Sequence, residues 1–242
     1  MPDEIRDQLA PTGVLRAGIN MANKLLVTGA TPSGEPDGVG PEFARHIADG
    51  LGVSVAYVQF ATPGDLADAV TEDVWDIGLI GAEPTRAEKI AFTAAYVEIE
   101  ATYLVPEGSP FMTIQEVDSE GVRIAVSGRS AYDLYLSRSL KHAELHRAQG
   151  LPGALELFLA EKMEALAGLR PALTGDLDKV PGGRILDGQF TSVQQAVGTA
   201  RTKTEAAAYL SDVVEDAKAS GLLARLIEKH GVVGRLSVAG AA

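Results

Sequence analysis

Arg86 is the charged side chain whose setting most invites a chemical reading. It stands in "WDIGLIGAEPTRAEKIAFTAAY" (75–96), which opens as a buried strand, passes through a short polar stretch and ends on Ala-Ala-Tyr. A guanidinium is a planar fork of donors that matches a carboxylate, and out of water such a charge-assisted pair contributes roughly 1.5–3 kcal/mol. The plainer alternative is a surface ion pair with Glu83 or Glu88, worth about 0–1 kcal/mol. A second place for an anion is "VSGRSAYD" (126–133). Gly128 permits a tight turn, and Ser130 opens a helix whose first N–H groups have no partner within it. Ser130 reads equally well as an N-cap, with Asp133 closing an approximate capping box.

Other reactive types form weaker patterns. His142 and His146 in "HAELH" are four apart and could chelate a metal if helical, but Glu144 is misplaced for the zinc-protease order. His46 and His230 join no cluster along the chain, so no metal site is expected. "DGVGPEF" lacks the third glycine and the preceding strand of a nucleotide loop, and no nucleophile elbow or Walker lysine occurs. No cofactor is therefore expected.

The elements that must position these residues alternate. "VLRAGIN" reads as a strand and "VGPEFARHIADGLG" as a helix, with Val39, Phe43, Ile47 and Leu51 recurring every four residues. "VSVAYVQF" is a strand, "PGDLADAVTED" a short helix, and "VWDIGLI" a near-continuous apolar run of the kind found in covered parallel strands. The order predicts α/β architecture, with ligands beyond the carboxyl ends of strands, and Arg86 lies just past one. After the strand "IEATYLVPEG" the same grammar restarts: strand "GVRIAVSG", helix "SAYDLYLSRSLKH", helix "LPGALELFLAEK", strand "MEALAGL". "RILDGQFTSVQQAVGTA" holds two strand-like runs, two helices follow, and the final "SVAGAA" is expected to fray. No internal repeat of the kind that marks solenoids is evident.

Composition narrows the class of partner. The 242 residues are 46% hydrophobic and 22% charged, as in a folded globular protein. A net charge of −12 repels phosphate backbones and anionic lipid, which argues against nucleic acid and membrane surfaces. The chain has no cysteine, which excludes thiolate chemistry and leaves the compartment open. The first residues, "MPDEIRDQLAPTG", have neither the basic start nor the apolar run of an export signal. That points to a cytoplasmic protein if Met1 is the native start, or to an export segment already removed; no stretch is long enough to insert in a membrane.

Taken in order, "LRAGIN", "VGPEFARHIADGLGV", "DIGLIGAEPTRAEKIAFTAAY", "GVRIAVSGRSAYDLYL" and "QQAVGTAR" resemble bacterial solute-binding protein family 3, the amino-acid-type substrate-binding proteins of ABC transporters. Arg86, Phe92, Thr93 and Tyr96 match that family's R-A-x-x-x-x-F-[ST]-x-x-Y segment. The resemblance implies a periplasmic binding protein type 2 fold: two α/β lobes, a hinge and an interlobe cleft, with 1–104 plus 192–242 in one lobe and 105–191 in the other. It also implies a monomer that closes on a small organic acid or amino-acid-like ligand outside the cytoplasm and presents it to an ABC permease. Arg86 would hold the ligand's carboxylate opposite Ser130, while Asn20, with Asn23 nearby, would touch its variable part; both asparagines read equally well as turn residues. Phe92 and Tyr96 are expected in the core or the cleft wall.

Two departures from the family matter. Its members carry an acid after the second-lobe strand to hold the ligand's ammonium group; here Leu169 stands at that position, followed by Arg170. A buried ammonium facing leucine costs several kcal/mol, about as much as any buried unpaired charge. The ligand is thus expected to be a carboxylic acid, with Arg170 favouring a second anion if it reaches the cleft. The segment before Arg86 is also about two residues short, and Glu83 there could supply the missing negative charge. Glu164 is expected to be structural. An enzymatic alternative exists, because an offshoot of the fold resembles cyclohexadienyl dehydratase; Glu83, then Lys24, would be the proton donor.

Overall fold

Residues 3–241 are described by the computed structural model, and strands alternate with helices throughout. The chain divides into one unit of Met1–Glu98 with Gln194–Ala242 and another of Ile99–Val193.

The first unit begins with α1 (Asp3–Leu9) and β1 (Val14–Asn20). A small hairpin, β2 (Gly29–Ala30) with β3 (Pro36–Asp37), leads into α2 (Val39–Leu51). The four-residue recurrence predicted for α2 is its buried stripe: Val39, Phe43, Ile47 and Leu51 are all in the core. Gly38 enters this helix with φ of 146°, and a Cβ there would strike the carbonyl oxygen of Leu26, so only glycine fits. Next come β4 (Ser54–Phe60), α3 (Pro63–Asp68), β5 (Ile77–Gly81), the single-turn α4 (Pro84–Ala87) and β6 (Ile90–Val105). Strands β1, β4 and β5 are parallel. All five residues of β5 are buried, as its apolar run implied.

Strand β6 carries the chain into the second unit, which continues with β7 (Arg123–Ser127), α5 (Ala131–Ser139), β8 (Glu144–Ala148) and α6 (Gly150–Ala160). It ends with β9 (Ala165–Leu169), α7 (Arg170–Asp176) and β10 (Arg184–Ile185). Strands β8 and β9 lie parallel to β7 on either side, and β6 runs antiparallel to β9. The pleat sends alternate side chains to opposite faces. Ile124 and Val126 of β7 join Tyr132 and Leu136 of α5, whereas Ala125 between them packs with Leu155 and Phe158 of α6.

The chain returns along β11 (Thr191–Ala200), antiparallel to β5, and finishes with α8 (Thr204–Ala219), α9 (Leu222–Lys229) and β12 (Ser237–Val238).

Two sequence readings change here. The helix read over 130–142 stops at Ser139, and His142 lies in a bend and His146 in β8, so the condition for an i, i+4 chelate is not met. The C-terminal tail is held through Gly240 and does not fray there, because β12 pairs with Val97 and Glu98 of β6, the Ala239 N–H donates to the Tyr96 carbonyl, and Gly240 accepts from Lys218 Nζ; Ala242 lies outside the described residues.

Each unit locks its first strand in the same way. Arg16 of β1 donates its backbone N–H, Nε and Nη2 to the carboxylate of Asp76, the residue before β5. Arg123 of β7 donates the same three groups to Glu164, the residue before β9. Glu164 is thus structural, as expected; Arg123 holds its carboxyl below the usual range against the opposing pull of burial.

Candidate functional site

The sequence-predicted residues occupy the carboxyl ends of neighbouring parallel strands in each unit, the usual position for ligand contacts in α/β sheets. In the first unit Asn20 ends β1, and Arg86 follows the adjacent β5. The Arg86 side chain turns back so that Nη1 donates to the carbonyl of Gly81, the last residue of β5, at 2.7 Å. Arg86 is 6% exposed and so is not a solvated surface side chain. Pro84 at the start of α4 makes this possible: its fixed φ begins a helical turn directly after the strand, and that turn brings residue 86 round to the strand end. Glu83 precedes α4, is 7% exposed, and accepts the Ala87 N–H through its backbone carbonyl; its carboxylate does not cap the helix.

Both asparagines form Asx turns. The Asn20 Oδ1 accepts the Ala22 N–H and the Asn23 Oδ1 accepts the Leu25 N–H, each at 3.1 Å. Among the described residues neither side-chain NH2 group has a hydrogen-bond partner, so each turn is satisfied with two donors to spare. Tyr96 is fully buried and packs on Phe43 with ring centroids 5.2 Å apart, in the core as expected; its hydroxyl is buried without a partner among the described residues. Thr93 Oγ1 accepts the Val197 N–H, so this part of the motif braces the sheet.

In the second unit Ser130 stands after β7 as the N-cap of α5, its Oγ accepting the Asp133 N–H at 3.1 Å. The expected capping box is displaced by one residue. Asp133 reaches back to the N–H of Arg129, which sits at φ of 61°, and its carboxylate also accepts from Arg147 Nε. The opening N–H groups of Ala131 and Tyr132 have no intrahelical partner by position. Burial pushes the Tyr132 hydroxyl up to about 12, with Ser130 and Ser127 pulling it partly back, so it stays protonated beside the cap.

Leu169 and Arg170 follow β9, as Ser130 follows the neighbouring β7. Leu169 is half-buried at the start of α7 and caps nothing. Arg170 is engaged within its own unit: Nε donates to Glu100 at 2.6 Å, and Nη2 donates to the carbonyls of Leu186 and Gly188. These bonds account for Arg170 without a ligand. Lys24, the second candidate proton donor, is exposed.

The sequence reading missed two polar groups. Asp76 is fully buried and binds both Arg16 and Lys203; an acid interrupting the apolar run "VWDIGLI" was the available signal. His230, expected to join no cluster, lies with Asp37 and Glu42, which segments far apart in the chain bring to it.

Solved structures share the fold that carries these strand ends. A mutant of ArgBP from T. maritima superposes with a TM-score of 0.75 at 21% identity, covering 94% of this chain and 99% of that one. An amino acid ABC transporter substrate-binding protein from Streptococcus pneumoniae, bound to L-arginine, gives 0.74 at 17% identity, covering 97% and 99%. An ancestral amino acid-binding protein described as a precursor of cyclohexadienyl dehydratase gives 0.74 at 19%, covering 92% and 97%. At these identities the likeness is one of fold, the two-lobed type 2 periplasmic binding protein class. No curated protein matches the sequence. No helix among the described residues is long and apolar enough to cross a membrane. The model of the bacterial extracellular solute-binding proteins, family 3, matches residues 15–233, and the chain belongs to that family.

Proposed function

We propose that this solute-binding protein takes a small carboxylic acid and presents it to an ABC permease outside the cytoplasm. Arg86 supplies the cation for the carboxylate, Ser130 with the α5 N-terminus supplies neutral donors, and the free amides of Asn20 and Asn23 meet the remainder of the ligand. The observation that carries this reading is the buried guanidinium of Arg86, fixed on the last carbonyl of β5. Leu169 argues for an acid without an ammonium group, and the pairing of Arg170 with Glu100 argues for a single carboxylate. Closure of the two lobes follows if the ligand adds contacts to both, since a ligand shifts a conformational equilibrium only by its differential affinity.

A second reading, in which the ligand is an α-amino acid, is favoured by the low exposure of Glu83, a carboxylate placed three residues before Arg86. A thermal-shift panel of aliphatic and aromatic monocarboxylic acids beside the free amino acids separates the two. Stabilisation by acids supports the first, and stabilisation confined to amino acids transfers the assignment to Glu83. Calorimetry of the best panel member with Arg86→Ala should show affinity reduced roughly 10- to 100-fold, the equivalent of one charge-assisted pair. Unchanged affinity removes Arg86 from the site. A mixture of prephenate and protein that yields a new absorbing product would instead establish dehydratase chemistry.

A further inference from the structure

Within the first unit one group of side chains has the make-up of a metal centre. Asp37 at the end of β3, Glu42 in the first turn of α2 and His230 just after α9 each offer one donor atom, and the three atoms lie within 4.8 Å of one another. We propose that they bind a single divalent transition-metal ion of the Zn2+ class. One imidazole nitrogen with two carboxylates suits such ions, whereas Ca2+ and Mg2+ prefer oxygen alone.

The position of the imidazole allows this. Nδ1 of His230 lies 3.2 Å from Thr28 Oγ1, and Nε2 lies 3.1 Å from Glu42 Oε1. When Nδ1–H donates to Thr28, Nε2 turns its lone pair towards the carboxylates, the tautomer and outer contact that ligating histidines adopt. A lone pair facing a carboxylate oxygen at that distance is repulsive unless a hydrogen or a metal ion sits between them. Either a proton on Nε2 or a metal ion removes the repulsion.

Charge balance favours the ion. Asp37 and Glu42 bring two negative charges. Asp37 has no ion-pair partner among the described residues, and its Oδ1 accepts only the Gly38 N–H. Lys229 Nζ is bonded to Glu42 Oε1 at 2.5 Å, but its side chain is 62% exposed and can turn into water at small cost, as surface ion pairs contribute little. Lys229 therefore competes with the ion for Oε1 of Glu42, the oxygen that Nε2 of His230 also faces. Three protein ligands leave a coordination position for water. Bound metal would tie α9 to α2 and to the hairpin that follows the Asn20 and Asn23 turns, stiffening that segment without touching Arg86.

Protein stripped with a chelator and titrated with ZnCl2 by calorimetry should bind one ion per chain, and CoCl2 should give a visible d–d spectrum with the intensity of a low-coordinate site. Asp37→Asn and His230→Gln should each weaken Zn2+ binding at least tenfold with circular dichroism unchanged. Lys229→Ala should tighten it severalfold, because the competing ammonium is gone. The last variant removes no ligand, and its gain is assigned to this site only if it disappears when Asp37→Asn is added to Lys229→Ala. Absence of saturable binding, several weak sites indifferent to Asp37→Asn, weaker binding in Lys229→Ala, or equal affinity for Mg2+ would each overturn the proposal. None of these results bears on the solute site, whose test uses Arg86 and organic acids.

Discussion

Asp76 makes a buried carboxylate tolerable by surrounding it with donors. It is fully buried, it receives Arg16 through a backbone N–H and two guanidinium nitrogens, and Lys203 Nζ lies 3.2 Å away. Removing the carboxylate strands two partly buried cations, so Asp76→Ala should cost about 2–4 kcal/mol, short of the figure for a wholly buried pair because Arg16 and Lys203 retain some solvent. The matching lock of Arg123 and Glu164 is more exposed, with side chains at 36% and 33%, and Glu164→Gln should lower the urea midpoint by clearly less. Equal losses in the two variants would show that burial does not set the strength of these locks. The single tryptophan, Trp75, lies beside Asp76 in the first unit and reports its unfolding. Of these roles the sequence disclosed only the local ones. Arg86 could be singled out as a candidate because its signal lies within the eleven residues of "RAEKIAFTAAY". Asp76 draws its partners Arg16 and Lys203 from segments 60 and 127 residues away, and the cluster of Asp37, Glu42 and His230 rests on a packing of α9 on α2 that no short window contains.

At the scale of elements, α5 begins on a residue with an observed role in stability and a proposed one in recognition. Ser130 caps the helix and is proposed to meet the solute, and the two roles separate by substitution. Ser130→Ala should cost about 1 kcal/mol of stability and also weaken acid binding. Ser130→Asp restores a side-chain cap, so the thermal midpoint should recover, but it places a like charge against the carboxylate, so binding of the best acid in the panel should fall further than in the alanine variant. Recovery of both properties in Ser130→Asp would mean that Ser130 only caps. The elements legible in the sequence were those with strong one-sided or continuous apolar patterns, α2 and β5 above all. Strand β8 was not, because "ELHRA" has no fully buried residue and no apolar alternation; its pairing with β7 supplies what its own side chains do not. Strand β12 was missed for a similar reason, since "SVAGAA" is short and small, and its order comes from the edge of β6.

Over the whole molecule, stability against pH is set by two opposing effects. At neutral pH the chain carries a formal charge of −12, and acidification relieves that self-repulsion. Against this, carboxyl groups among the described residues titrate below their ordinary range in the folded state, Glu42, Glu116, Asp118, Glu164 and Glu205 among them. In Asp118 burial alone would raise the value, but the backbone N–H groups of Ala143, His142 and Lys141 together outweigh it. For each such group the unfolded chain takes up the proton first, so its stabilisation is complete above the unfolded value of about 4 and is lost as pH falls through the lower folded value. At the alkaline end the sign is set by Tyr96, Tyr103 and Tyr132, all raised by burial: unfolded tyrosine ionises first, near pH 10, and stability falls from there upward. Surface repulsion is screened by salt, whereas the hydrogen bonds to Asp118 and the burial of Tyr96 are not. Urea midpoints measured in 0.5 M NaCl should therefore be level between about pH 5 and pH 9 and fall on both sides. Asp118→Asn should shallow the acid limb alone. A midpoint that kept rising below pH 4 would show that charge repulsion, and not these anchored carboxylates, dominates the fold's response to acid.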